Sequence, residues 1–234
     1  MNTSLIDLAK TLLEIKSISP EDKGCFDIVE NYLNPLGFET KRINYLNVEN
    51  LYSTIGSKGP LFCFLGHTDV VPSGPEELWD IDPFKPEVIG DYLIGRGAAD
   101  MKGAVATFLA TAKEFLAENP NPNFRICVFL TSNEEGEPAD GKINKIIKDL
   151  QDAGEHIDYC LVGEASSSLK LADTIRLGRR GSLSGSLIIK GKQGHVAYPD
   201  KVNNPIHLTG KVIDTLKEMT WDEGNEFFQP TSFQ

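Results

Sequence analysis

Six residues in this sequence are of types that can hold a metal ion or move a proton, and they fall where such chemistry needs them: His67, Asp69, Asp100, Glu134, Glu135 and Glu164. His67 and Asp69 follow the apolar run 61–65, Glu134 and Glu135 follow a second run at 124–130, and Glu164 follows a third at 159–162. Asp100 comes just after a hairpin pattern. Open α/β sheets bind ligands at the carboxyl ends of their strands, which would bring these distant groups into one crevice. Carboxylates that converge in a partly buried crevice repel one another and take up protons unless a cation neutralises them. One imidazole among several carboxylates suits Zn²⁺, with Co²⁺ or Mn²⁺ as alternatives, whereas an all-oxygen set would suit Mg²⁺ or Ca²⁺ better. In His67-Thr68-Asp69 the acid stands two residues beyond the imidazole, from where it can hydrogen-bond the ring and fix its tautomer. Glu134 and Glu135, as neighbours at an extended strand end, are expected to point in opposite directions.

Singly, each piece has a plainer reading. A His-x-Asp after a strand is more often a surface turn, Glu134-Glu135-Gly136-Glu137 a solvated loop, and Glu164 a helix cap. The repetition at strand ends is what points to a metal. Gly95-Arg96-Gly97-Ala98-Ala99-Asp100 invites a dinucleotide-loop reading, but the third glycine is missing and Asp100 would set a carboxylate beside the pyrophosphate. Neither GxxxxGK[ST] nor GxSxG occurs, and the cysteines lie mostly in apolar runs, which argues against a phosphate loop and a Ser or Cys nucleophile.

The elements that must position these groups are written in the hydrophobic spacing. Leu5, Leu8, Leu12 and Ile15 recur at helical period after a Ser4 cap with Asp7 three residues on, and Ser19-Pro20 stops the pattern. A second helix runs through Cys25, Phe26, Val29 and Leu33 to a Gly37 break. The run 61–65 does not alternate and so reads as a strand covered on both faces. A hairpin turning at Gly90-Asp91, a helix over 101–116, a strand over 124–130, a helix over 143–150 and a buried strand over 159–162 follow. This order predicts an α/β fold with a mostly parallel mixed sheet sandwiched by helices. After Gly178–Gly181 the pattern changes to an alternating strand over 183–190, a Gly/Pro-rich loop, a helix over 203–219 with Ile206, Val212, Ile213 and Leu216 on one side, and the start of a strand over 227–233. The joint predicts domains at 1–179 and 180–234.

Composition narrows the classes. With 234 residues, 40% apolar and 24% charged, the chain is of ordinary globular make-up, neither coiled, collagenous nor disordered. Twenty-three basic against 34 acidic residues give a formal charge of −11, whose field repels phosphate backbones and anionic lipid, so neither nucleic acid nor a membrane is expected as partner. The first residues do not read as a basic and apolar leader, and no run approaches 18 apolar residues, so the expectation is a cytoplasmic protein. Cys25, Cys63, Cys127 and Cys160 form no CxxC and are expected to be buried free thiols of a reducing compartment.

Three segments, Gly66-His67-Thr68-Asp69-Val70-Val71-Pro72, Gly95 to Gly103 through Asp100-Met101-Lys102, and Thr131-Ser132-Asn133-Glu134-Glu135-Gly136, resemble the metal-binding signatures of the co-catalytic zinc aminoacylase and carboxypeptidase family. Within it, Gly178-Arg179-Arg180-Gly181-Ser182 and Gly191-Lys192-Gln193-Gly194-His195-Val196-Ala197-Tyr198-Pro199 resemble the bacterial branch that desuccinylates diaminopimelate. The resemblance runs through essentially the whole chain. It implies a zinc-exopeptidase-like catalytic domain in which Asp100 bridges two Zn²⁺ ions, His67 and Glu164 complete one site, Glu135 enters the other, and Glu134 is the general base beside the positioning carboxylate of Asp69. It further implies hydrolysis of a small anionic amide in lysine and diaminopimelate biosynthesis, with deacetylation of acetylornithine or a dipeptidase activity as runners-up. By the same resemblance, 180–234 is part of a ferredoxin-like lid that makes a homodimer, with Arg179, Tyr198 and a partner-reaching His195 at the substrate. Asp100 and Glu135 alone leave the second ion short of the usual three protein ligands, and His156, His195 and His207 are not placed to supply a third. The expectation is therefore a C-terminally truncated chain, metal-binding and dimerising but with little turnover of its own.

Overall fold

Ser4 opens helix α1 (Leu5–Leu13), its Oγ accepting the Asp7 N–H at 3.2 Å, and Leu8, Leu12 and Leu13 turn inward. Helix α2 (Cys25–Leu33) buries Cys25, Phe26, Val29 and Leu33, and the turn after it ends at Gly37 with φ +92°, the left-handed geometry that glycine adopts freely. The computed structural model describes residues 4–136 and 142–234 and divides the chain into two compact units, Met1–Leu171 and Ala172–Gln234.

In the first unit, strands β1 (Glu39–Arg42), β2 (Asn50–Ile55) and β3 (Leu61–His67) precede a two-stranded hairpin of β4 (Glu87–Ile89) and β5 (Tyr92–Ile94). Helix α3 (Gly103–Glu118), strand β6 (Arg125–Thr131), helix α4 (Lys142–Asp152) and strand β7 (Tyr159–Val162) follow. The main sheet has the order β1-β2-β6-β3-β7, with β3 parallel to both β6 and β7 and the β1 side antiparallel. It is the mixed sheet expected, and register decides what matters: His67 lies opposite Thr131, and Leu65 opposite Val162. The chain therefore leaves β3, β6 and β7 at one end of the sheet, carrying five of the six chemical residues, while Asp100 comes from the turn between β5 and α3.

Two apolar layers hold the sheet. Leu12, Phe26, Val29, Phe64, Leu109 and Val128 pack with α1, α2 and α3 on one face, where the Phe64 and Phe108 rings stack with centroids 4.3 Å apart. Tyr52, Cys63, Cys127, Phe129 and Ile146 fill the other, under α4. Each such large side chain stabilises the fold by about 1.5–3 kcal/mol through burial.

Three expectations need correction. Strand β7 is not covered on both faces: Tyr159 is 63% and Val162 51% exposed, because β7 is the last strand of the sheet and, among the described residues, nothing pairs with its outer edge. For the same reason Cys160 is exposed, while Cys25, Cys63 and Cys127 are buried as expected. A maleimide is expected to label one thiol per native chain and four after denaturation, slowly because hydrogen bonding to Cys63 and burial raise the Cys160 thiol above its ordinary pKa. Labelling of two or more native thiols would contradict this packing.

In the second unit, the strands expected over 183–190 and 227–233 are not formed among the described residues. A lone strand has no ladder to join, and Leu183, Ile188 and Phe227 stay exposed. Helix α5 (Pro205–Glu218) does form, with the Asn204 side chain accepting the Ile206 N–H at 3.0 Å. The unit begins earlier than the expected joint at 179/180.

Candidate metal centre

His67 is the last residue of β3 and its ring is buried. Nδ1 faces the backbone carbonyl of Asp69 at 2.9 Å, with the Asp69 carboxylate at 3.5 Å, while Nε2 stands 3.1 Å from Asp100 Oδ1 and 3.3 Å from Glu164 Oε1. In the neutral ring, an Nδ1–H donated to Asp69 leaves the Nε2 lone pair directed at the carboxylates.

Asp69, fully buried, does more than meet the ring. Its Oδ1 accepts the Glu134 N–H and its Oδ2 the Glu135 N–H, each at 3.1 Å, and Ser19 Oγ also donates to Oδ2. Burial alone would raise this carboxyl, but His67, Ser19 and the backbone donor together hold it below the ordinary carboxylate value.

Asp100 sits in a tight turn entered through Gly97 at φ +84° and closed by Lys102 N–H on the Gly97 carbonyl at 2.9 Å. The Lys102 side chain is buried and its Nζ donates to the carbonyls of Leu12 and Ile15, at 2.9 and 2.8 Å, tying the turn to the end of α1. A Cβ on Gly97 would stand 2.5 Å from Val70 Cγ1. Left-handed strain and overpacking together predict that Gly97→Ala loses about 3 kcal/mol, a fall of roughly 6–12 °C in Tm by thermal denaturation. An unchanged Tm would show that this turn is not rigid.

The segment after β6 bends at Ser132, and Glu134 and Glu135 enter different ligand groups, Glu134 with Glu164 and Glu135 with Asp100. Both reach the imidazole. Ligand atoms of His67, Glu134 and Glu164 lie within 4.8 Å of one another, and so do those of His67, Asp100 and Glu135. Glu137, also in the acidic run, lies outside the described residues.

Burial pulls the His67 pKa down, but hydrogen bonding and charge from Asp69, with Glu164, outweigh it and raise it to about 9. Burial and the nearby Asp100 push both Glu135 and Glu164 above the usual carboxylate range, partly offset by His67. Carboxyl groups strained toward protonation around one imidazole are a donor set that a divalent cation fits and relieves.

Arg179, His195 and Tyr198 belong to the second unit. Arg179 is exposed; His195 Nδ1 accepts the Ala197 N–H at 3.1 Å, and its ring centroid is 5.9 Å from that of Tyr198. Ser19, Asp22 and Lys102, which build the floor of the centre, were not foreseen; their signal in the sequence is a polar residue set among apolar or turn residues.

A model of peptidase family M20/M25/M40 matches residues 63–231. Succinyl-diaminopimelate desuccinylase 2 of Alteromonas mediterranea is 46% identical over 234 residues, which is all of this chain and 62% of that protein. The succinyl-diaminopimelate desuccinylase of Methylobacillus flagellatus is 48% identical over 229 residues, 98% of this chain and 61% of that one. The chain thus spans about three fifths of the length of these relatives. Among solved structures, an M20 family metallo-carboxypeptidase from Sulfolobus solfataricus superposes with TM-score 0.66 at 22% identity, over 92% of this chain and 50% of that one. The aminopeptidase PepT of Bacillus cereus does so with TM-score 0.63 at 18% identity, over 94% and 58%. Among the described residues, no helix is long and apolar enough to cross a membrane.

Proposed function

The chain belongs to peptidase family M20/M25/M40, and on that premise we propose that it carries the metal-binding catalytic unit of an amide hydrolase acting on N-succinyl-LL-2,6-diaminopimelate. The products are succinate and LL-2,6-diaminopimelate, a step of lysine and diaminopimelate biosynthesis. The observation that carries the reading is the meeting of four carboxylates from three loops on the buried His67. The near-half identity to desuccinylases over the full chain supports the substrate.

In this reading His67, Asp100 and Glu164 hold one Zn²⁺, and Asp100 and Glu135 share in the second, with Co²⁺ as an alternative. Bound divalent ions supply a polarised amide carbonyl and an acidified water. In the neutral ring the Asp69 backbone carbonyl accepts the Nδ1–H, so the bare nitrogen is Nε2, facing the ligand oxygens. Glu134, on the exposed side of the centre, takes the proton of the attacking water and delivers it to the departing amine nitrogen. Arg179 and Tyr198 meet the anionic substrate, and His195 reaches the oxyanion of a neighbouring copy through a homodimer of the second unit. The exposed apolar residues of that unit, Leu183 and Ile188 among them, support such pairing. Cysteines without disulfides support a reducing cytoplasm.

A second reading, metal binding without turnover, is favoured by the short donor set of the second ion, for which Asp100 and Glu135 converge only on the His67 already used by the first. Zinc titration and assays on N-succinyl-LL-2,6-diaminopimelate and N-acetylornithine separate the cases. We expect one tightly held Zn²⁺ and slow succinate release from this chain, with fast release from a chain of the relatives' full length. Preference of the longer chain for the acetylated substrate would sink the desuccinylase reading, and full turnover by residues 1–234 would sink the second.

A further inference from the structure

We propose that Ser19 is a positioning residue of the metal centre, holding the Asp69 carboxylate so that it can fix the backbone of Glu134 and Glu135. The inference rests on the metal-centre reading above but concerns a segment outside the metal-ligating residues. Ser19 lies 50 residues from Asp69, in a stretch that leaves α1 and runs along the end of β3. That stretch is pinned to both strand ends that bear the site. The Val70 N–H donates to the Ser17 carbonyl at 2.9 Å, the Ser19 N–H to the Val70 carbonyl at 3.2 Å, and Ser17 Oγ to the Thr68 carbonyl at 2.7 Å. On the β6 side, Ser132 Oγ donates to the Pro20 carbonyl at 2.8 Å. Asp22 then accepts from Thr68 Oγ1 at 3.2 Å and from the Phe26 N–H, joining the strut to α2.

Ser19 Oγ is thus a donor on a rigid support, aimed at the one carboxylate that touches both halves of the centre. A carboxylate has two oxygens and about four acceptor directions. On Asp69, Oδ1 takes the Glu134 N–H and stands 3.5 Å from the imidazole, while Oδ2 takes the Glu135 N–H and the Ser19 hydroxyl. Without the hydroxyl, the carboxylate keeps its charge but loses the contact that fixes its plane. The Glu134 and Glu135 side chains start from the amides it holds, so each carboxylate loses its fixed base beside the imidazole. Donor and acceptor here are charge-assisted, and partners of this kind around metal ligands change metal affinity by about 10–100-fold.

The test uses Ser19→Ala and Ser19→Thr in the 234-residue chain, with two readouts. In the metal-free protein, hydrogen exchange of the Glu134 and Glu135 amides is expected to quicken about tenfold in Ser19→Ala and to stay near the parent rate in Ser19→Thr, which keeps the hydroxyl. The amides of β3 and β6 keep their protection in both. Zinc affinity by chelator competition is expected to fall about tenfold in Ser19→Ala only. Parent-like exchange at Glu134 and Glu135 in Ser19→Ala overturns the proposal, and so does loss of protection throughout β3 and β6, which would make Ser19 a part of the general fold. A parent chain that binds no zinc while the exchange result holds overturns the metal reading and leaves the role of Ser19 standing.

Discussion

Glu134→Gln is expected to slow amide hydrolysis by about 10²–10⁴-fold in a chain that turns over the succinyl substrate, with its zinc content unchanged, because the amide keeps the side chain's shape and removes its ability to take a proton. Glu135→Gln is expected to show the reverse emphasis, losing part of its zinc before any loss at saturating metal. Adjacency makes this contrast informative. Both side chains come within 4.8 Å of the imidazole, Glu134 in a group with Glu164 and Glu135 in one with Asp100, and both backbone amides donate to Asp69, so the difference does not come from reach. It comes from surroundings. Glu135 is half-buried near Asp100 and is pushed toward protonation by burial and by that charge, the condition a cation relieves; Glu134 is exposed, where water and substrate arrive. Metal analysis of both purified variants beside their rates decides it, and equal zinc loss would refute the assignment.

The second large effect is one of pH. In the metal-free chain His67 titrates near 9, raised from 6.5, so its protonated form stabilises the fold fully below pH 6.5 and that contribution is lost as pH rises through about 9. Zinc needs the bare Nε2 and competes with this proton. Apparent zinc affinity is therefore expected to rise about tenfold per pH unit from 6.5 to 9 and then to level, a gain of roughly 10²-fold or more across the window. Asp69→Asn removes the side-chain charge that raises the imidazole and leaves burial opposed only by the Asp69 backbone carbonyl and Glu164, so levelling should move to lower pH. Titrations at several pH values with parent and Asp69→Asn would show it. A parent affinity flat between pH 7 and 9 would mean that His67 is already neutral there.

Most of the first unit could be read from spacing, because its strands and helices are made by local apolar pattern. The unbroken run of β3 announced a strand covered on both faces, the apolar run at 124–130 announced β6, and Ser4 with Asp7 announced the start of α1. The equally apolar run of β7 misled, since coverage depends on what lies beyond the sheet edge and not on the strand itself. The run at 183–190 misled for a related reason: alternation gives a strand its faces but cannot give it a neighbour. At the site, residue types singled out six candidates, of which the fold brings Asp100 and Glu164 within 3.3 Å of Nε2 of His67. The anchoring of the Glu134 and Glu135 amides was hidden because their acceptor, Asp69, lies more than 60 residues earlier. Ser19 and Lys102 were hidden for the same cause: each acts on a group 50 to 90 residues away, and nothing in their own neighbourhood says so.

The placing of β3 between β6 and β7 also sets a timetable. The middle strand is made first, and both of its parallel neighbours are made later. His67 leaves the ribosome 97 residues ahead of Glu164 (164 minus 67), about 5–20 s at ordinary rates of synthesis. Once Asp100 has followed, the imidazole and Asp100 are present without the third donor, and β3 has an open side where β7 will later lie. On the metal-centre reading proposed above, a nascent chain in this state would hold a divalent ion only weakly, and capture would follow the pairing of the last parallel strand.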